Sequence, residues 1–94
     1  MTPLKLTPFQ HFYIKLGITR GQARRLMVLV NAAEKAQEAW HNGDGNRDTN
    51  EATANAAVAA VEAYAKRVCP NATLQWPGLF PIFILPTGTV EIPG

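Results

Sequence analysis

"KLGITRGQARRLMVLV", residues Lys15 to Val30, contains a glycine turn followed by three arginines and an apolar run. Gly17 predicts the end of one helix, because glycine adopts a positive φ at low cost. Thr19, followed three residues later by Gln22, forms a capping-box pattern that predicts a second helix directly after the turn. The run "LMVLV" is apolar on all sides of that helix. We therefore expect other parts of the protein to cover it on more than one side.

Two more capping patterns lie on either side of this stretch. "TPFQ" at residues 7–10 repeats the Thr and Gln pair and places Pro8 at the first helical position, where its missing N–H is no loss. "DTNE" at residues 48–51 resembles the same pattern with Asp48 as the cap. The sequence thus predicts helices over about residues 8–16, 20–41 and 49–68, with the last two antiparallel across a polar loop.

The composition changes after Pro70, where "TLQWPGLFPIFILPTGTVEIPG" is rich in β-branched and aromatic residues. We predict a short strand at "TLQW" and a hairpin of "PIFIL" and "TVEI", joined by the three-residue loop "PTG" with Gly88 in the left-handed conformation. "PIFIL" does not alternate with polar residues, which predicts burial on both faces. The fold class is therefore α+β: one domain over residues 1–94, with a small C-terminal antiparallel sheet at about residues 73–92.

Length and composition limit the size of the core. The chain has 94 residues, and much of its 47% hydrophobic content is alanine, which contributes little apolar area. A core of this size leaves a homodimer as an open alternative. The single cysteine, Cys69, excludes an intramolecular disulfide and is typical of a reducing compartment. With no apolar stretch long enough to span a bilayer, we expect a cytoplasmic protein without membrane contact.

Residue types that could catalyse a reaction or bind a metal ion are few in this chain and lie far apart in the sequence. The chain offers His11, His41 and Cys69 and contains no serine. A nucleophile needs a base and an orienting group within reach, and a zinc site needs about four ligands at short spacings. Neither pattern is present, and no glycine loop leads from a strand into a helix to hold a phosphate. We therefore expect no enzymatic activity, no metal and no cofactor.

Charge is distributed unevenly along the chain. Residues 1–36 contain six basic residues and one acidic residue, whereas residues 37–94 contain three basic and six acidic residues. A positive end of this kind steers anionic partners toward it. The predicted partner-binding residues lie around the turn between the first two helices. They are four cations, Lys15, Arg20, Arg24 and Arg25, together with Gln22, which could add a directional hydrogen bond to the partner.

"FQHFYIKLGITRGQARRLMV", residues 9–28, resembles the helix-turn-helix motif of DNA-binding proteins. Gly17 falls at the turn of the motif, and its apolar positions are occupied by Phe12, Leu16, Ile18 and Leu26. The resemblance implies a transcriptional regulator that binds duplex DNA. The residues that would face the major groove are Thr19, Arg20, Gly21, Arg24 and Arg25. The alternative is a helical hairpin whose charged turn is only solvated.

"WPGLFPIFILPTGTVEIP", residues 76–93, is similar to the C-terminal tails of small bacteriophage accessory proteins. This resemblance implies a non-catalytic protein that inhibits or redirects a host protein or nucleoprotein with an acidic surface; anti-CRISPR proteins are one such kind. Trp76, Leu79 and Phe80 would form an apolar interaction patch if exposed, or would otherwise cap the open end of the helical core. We take this accessory role as the preferred function and DNA binding as the alternative.

Overall fold

The protein, described by a computed structural model over residues 5–43 and 45–93, has the predicted α+β fold. Three helices precede an antiparallel sheet of order β1-β2-β3. Asp44, in the loop predicted between the second and third helices, lies outside the described residues. None of the helices in the described part is long and apolar enough to cross a membrane. The elements are α1 (Pro8–Leu16), α2 (Arg20–Asn42), α3 (Arg47–Val68), β1 (Thr73–Gln75), β2 (Ile82–Leu85) and β3 (Gly88–Glu91).

The predicted starts of α1 and α2 are confirmed, and both predicted capping boxes are formed. The hydroxyl of Thr7 accepts the N–H of Gln10 at 3.2 Å, and Gln10 Oε1 accepts the N–H of Thr7 at 2.8 Å. Thr19 and Gln22 make the same two bonds at 3.1 and 3.0 Å. Between the two helices Gly17 has φ 70°, the left-handed conformation expected of it. These local bonds fix where α2 leaves the turn.

Helix α3 begins two residues before the predicted start. Its N-cap is Asn46, whose side-chain oxygen accepts the N–H groups of Asp48 at 2.9 Å and Thr49 at 3.2 Å. The prediction that Asp48 caps this helix is therefore wrong. Asn46 satisfies two free N–H groups at once, while Asp48 lies in the first turn, where a negative charge favours the helix dipole.

The core is formed where α2 and α3 pack against each other and against the sheet. On α1, Phe12 meets Phe83 of β2 edge to face, with ring centroids 5.6 Å apart. Both phenylalanines are almost completely buried, so they close this end of the helical hairpin. The fully buried positions on the two long helices are Ala23, Leu26, Val30 and Ala33 of α2 and Val61 and Ala65 of α3.

The far half of the helical hairpin lies outside this core. Residues 34–42 of α2 and 47–56 of α3, which we call the distal arm, contribute no side chain to the hydrophobic cluster. Ala54 is the only buried residue within them. The protein is accordingly elongated, with extents of 57 × 26 × 22 Å.

The hairpin loop is shorter than predicted. Leu85 pairs with Gly88, so the β2–β3 turn consists of Pro86 and Thr87 alone. The predicted three-residue loop is therefore wrong, and Gly88 begins β3 with φ 140° instead of adopting the left-handed helical conformation. This positive φ, which glycine tolerates, lets the strand start immediately after the turn.

Strand β2 is buried on one face only, which corrects the prediction that "PIFIL" is covered on both. Phe83 faces the helices and is fully buried, whereas Ile82 and Ile84 point to the other face and are half-buried. The helices cover the face that carries Phe83, and the opposite face consists of Ile82, Ile84 and side chains of the neighbouring strands. Their paired residues on that side are Thr73, Gln75, Thr89 and Glu91.

Two side chains tie the segment between β1 and β2 to the long helices. The indole Nε1 of Trp76 donates to Glu62 Oε1 on α3 at 2.9 Å. The amide Nε2 of Gln37 on α2 donates to the carbonyl oxygen of Leu79 at 3.3 Å. Residues 76–81 are thus held against both helices.

We expect Thr19→Ala to lower the free energy of unfolding by about 1 kcal/mol, because the N-cap hydroxyl of α2 is lost. Urea denaturation measures the change. Thr53→Ala is the matched control, since Thr53 lies exposed inside α3, where alanine is the better helix former. Equal destabilisation by both substitutions would contradict a capping role for Thr19.

We expect Trp76→Phe to destabilise the protein by about 1 kcal/mol, because it keeps an aromatic ring but removes the N–H donor to Glu62. Combining it with Glu62→Ala gives a double-mutant cycle that isolates the pair. Strictly additive effects of the two substitutions would show that this hydrogen bond does not hold the segment.

Candidate partner-binding surface

Three arginines and a valine form an exposed surface on the first half of α2, which we call the arginine face. Arg20, Arg24 and Val28 follow each other at four-residue intervals along the helix, with Arg25 beside them. None of the three arginines forms an ion pair with another described residue. Their charges are therefore available to an external partner.

Val28 is the exception to the prediction that the run "LMVLV" is covered on more than one side. Within this run Leu26 and Val30 are buried and Met27 and Leu29 are half-buried, but Val28 is 58% exposed. An apolar side chain among arginines has the composition of a protein interface, where arginine is enriched and lysine depleted.

The position of the arginine face on its helix is electrostatically unfavourable. The first turn of α2 contains no acidic residue, and Arg20 and Arg24 lie near the positive end of the helix dipole. A bound anion would relieve both the mutual repulsion and the interaction with the dipole. The free energy of unfolding is thus lower than it would be with acidic residues at the positions of Arg20 and Arg24, as is common at binding sites.

Gln22 and Lys15 are placed differently from the three arginines. The side-chain oxygen of Gln22 accepts the N–H of Thr19, so this residue stabilises the helix start and retains only its amide N–H groups for a partner. Lys15, on α1, lines recesses beside β3, next to Thr89 and Val90. The five predicted residues therefore do not form a single cluster, and only the three arginines of α2 lie together as the arginine face.

A groove of about 570 Å³ lies between α2 and the C-terminal segments; we call it the apolar groove. Phe80, 41% exposed, forms part of its wall. Other residues of the wall come from α2, β2 and the end of the chain: Met27, Asn31, Ile82, Glu91 and Ile92. Among the residues lining the groove, Glu91 is the only charged one.

The three residues of the predicted apolar patch are separated in the structure. Leu79 and Phe80 line the apolar groove, whereas Trp76 does not and is half-buried with its indole bound to Glu62. The remaining walls of the groove were not predicted from the sequence. The only signal would have been the position of Met27 at the border of the buried stripe of α2.

The titratable residues considered for catalysis do not form a reactive group. Cys69 is buried, and burial raises the pKa of its thiol, which therefore stays protonated and weakly nucleophilic at neutral pH. His11 lies on α1, and His41 stacks on Trp40 near the end of α2. In residues 5–43 and 45–93, no three His, Cys, Asp or Glu side chains are grouped so that they could hold a metal ion.

Comparison with known proteins gives no match. No protein-family model, no curated protein and no solved structure is significantly similar to this chain.

Proposed function

We propose that this protein is a non-catalytic binding protein, a phage-type accessory protein that inhibits or redirects a host protein or nucleoprotein by binding its acidic surface. The observation that carries this proposal is the arginine face, whose three exposed cations form no ion pair with any described residue. Unpaired cations at a helix N-terminus favour an anionic partner.

A protein partner is favoured by the exposed apolar residue at the C-terminal end of the arginine face. Val28 is the most exposed of the large hydrophobic residues on α2, and burying it against a partner would remove apolar surface from water. Interface cores combine such apolar contacts with arginine, whose long side chain packs while its guanidinium binds carboxylates in a bidentate way.

A second copy of the same chain is disfavoured as the partner of the arginine face. A two-fold contact would bring the same patch of both copies together. Arg24 and Arg25 of one copy would then meet those of the other, and like charges placed together across an interface oppose association. A homodimer would therefore use another surface.

We place the action of the protein in the cytoplasm. Cys69 is a free and buried thiol, which is typical of proteins in a reducing compartment.

Duplex DNA is the second candidate partner. The turn at Gly17 joins α1 to a helix that presents Arg20 and Arg24 at its N-terminal end, as in helix-turn-helix proteins. Arginine at this place can bind guanine through two hydrogen bonds or contact phosphates. Helix α2 is 23 residues long, about 35 Å, so only its first turns would enter the major groove.

We expect wild-type protein to recover a defined host protein from a lysate, with and without nuclease, and the double substitution Arg20→Glu and Arg24→Glu to lose it. The matched control is Lys66→Glu with Arg67→Glu, which makes the same charge change on exposed residues of α3. Retention of the partner by the arginine variant would show that the arginine face is not the binding surface.

The two candidate partners differ in their response to nuclease and salt. If DNA is the partner, recovery disappears with nuclease and the affinity for duplex DNA falls steeply with salt. Replacing one phosphate-contacting arginine should then reduce the slope of log affinity against log salt by about one. A partner that survives both nuclease and moderate salt would exclude the DNA-binding function.

A further inference from the structure

We infer that the apolar groove and the arginine face form one continuous site for a linear peptide segment, with carboxylates at one end and an apolar anchor side chain next to them. This inference rests on the proposed function, because it takes the partner to be a protein. It adds the chemistry and the orientation of the segment that binds.

The apolar groove has the size and chemistry of a site for an uncharged side chain. Its volume of about 570 Å³ lies within the range of about 300–1,000 Å³ typical of pockets that enclose ligands. Phe80, Ile82 and Ile92 offer apolar surface, and Met27 adapts easily to the shape of a neighbour. The lining contains no cation, so a carboxylate would find no partner inside the groove.

The wall that carries Phe80 is held in place without a ligand. Pro77 and Pro81 restrict the backbone on either side of it. The bonds from Trp76 to Glu62 and from Gln37 to the carbonyl of Leu79 fix the same segment to α3 and α2. Binding therefore requires little ordering of this wall, which lowers its entropic cost.

Helix α2 connects the groove to the arginines. Met27 and Asn31, which line the groove, lie four residues apart and so share one side of the helix. Arg24 precedes Met27 by three residues, and Arg20 precedes Arg24 by four. Helical residues three or four apart are neighbours, so the wall of the groove leads directly onto the arginine face.

The charges along this side of α2 give the ligand a direction. Beyond Asn31, toward the C-terminal end of the helix, this side continues with Glu34 and Lys35, three and four residues on, and with Glu38. Net positive charge is therefore confined to the arginine end, where the helix dipole adds positive potential. Carboxylates of the ligand bind over Arg20 and Arg24, and its anchor side chain enters the groove.

Three synthetic peptides test this arrangement. The first has three glutamates followed by leucine and phenylalanine; the second replaces the glutamates with lysines, and the third replaces the apolar pair with two glycines. Amide resonances of the ¹⁵N-labelled full chain report binding. We expect the first peptide at about 1 mM to shift Arg24 together with Met27 and Phe80. The other two should bind at least about tenfold more weakly.

Substitutions in the groove complete the test. We expect Phe80→Ala to weaken binding of the first peptide about tenfold, as for a central apolar anchor. Ile92→Ala is a second variant on another wall of the groove. The matched control is Leu6→Ala, because Leu6 is 42% exposed, close to the 41% of Phe80, but does not line the groove. The amide spectrum of each variant shows whether it is folded.

Three results would overturn the inference: no shift at Phe80 with the first peptide, equal affinity for the lysine peptide, or unchanged affinity in both groove variants. If the first peptide shifts only the arginine face, the groove has no part in binding, but the proposed function stands. If host-protein recovery also survives the double arginine substitution, the proposed function itself fails.

Discussion

The packing of one side of α2 against α3 determines which surfaces of the protein are buried and which stay exposed. Ala23, Leu26, Val30 and Ala33 are all completely buried along this side. Because they occupy a single stripe, the opposite side of the helix remains in solvent and carries the arginines. Helix α1 and the sheet complete the core at the same end of the hairpin. The surface proposed for binding is thus the reverse side of the residues that stabilise the fold.

Alanine at the helix contact has two effects on this arrangement. It lets the two long helices approach closely, but each alanine removes little apolar area from water. The hydrophobic contribution therefore comes from a few large side chains, above all Phe12, Leu26 and Phe83, each of which is almost completely buried. The sheet, small as it is, is needed because Phe83 supplies one of them.

Most features that depend on neighbours in the sequence could be predicted, apart from the cap of α3 and the length of the β2–β3 turn, whereas the extent of burial and the groove depend on tertiary contacts and could not. Gly17, Thr19 and Gln22 act within one turn of chain, so the break and the start of α2 followed from the sequence. Asn46 and Asp48 are both good caps two residues apart, and the pattern alone did not rank them. The exposure of Val28 and of one face of β2 depends on where other elements end. The apolar groove joins Met27 to residues more than fifty positions later in the chain.

Helix α2 has two halves, of which the first packs in the core and the second belongs to the distal arm. Its residues lie outside the hydrophobic cluster, and segments with few buried apolar contacts open locally at a lower free energy than the whole domain. We therefore expect backbone amides of residues 38–42 to exchange with solvent through local opening, and those around Leu26 and Val30 to stay protected until the core itself unfolds. We expect this helix to combine a rigid half, which presents the arginines in a fixed geometry, with an end that opens more readily beyond the bond from Gln37 to Leu79.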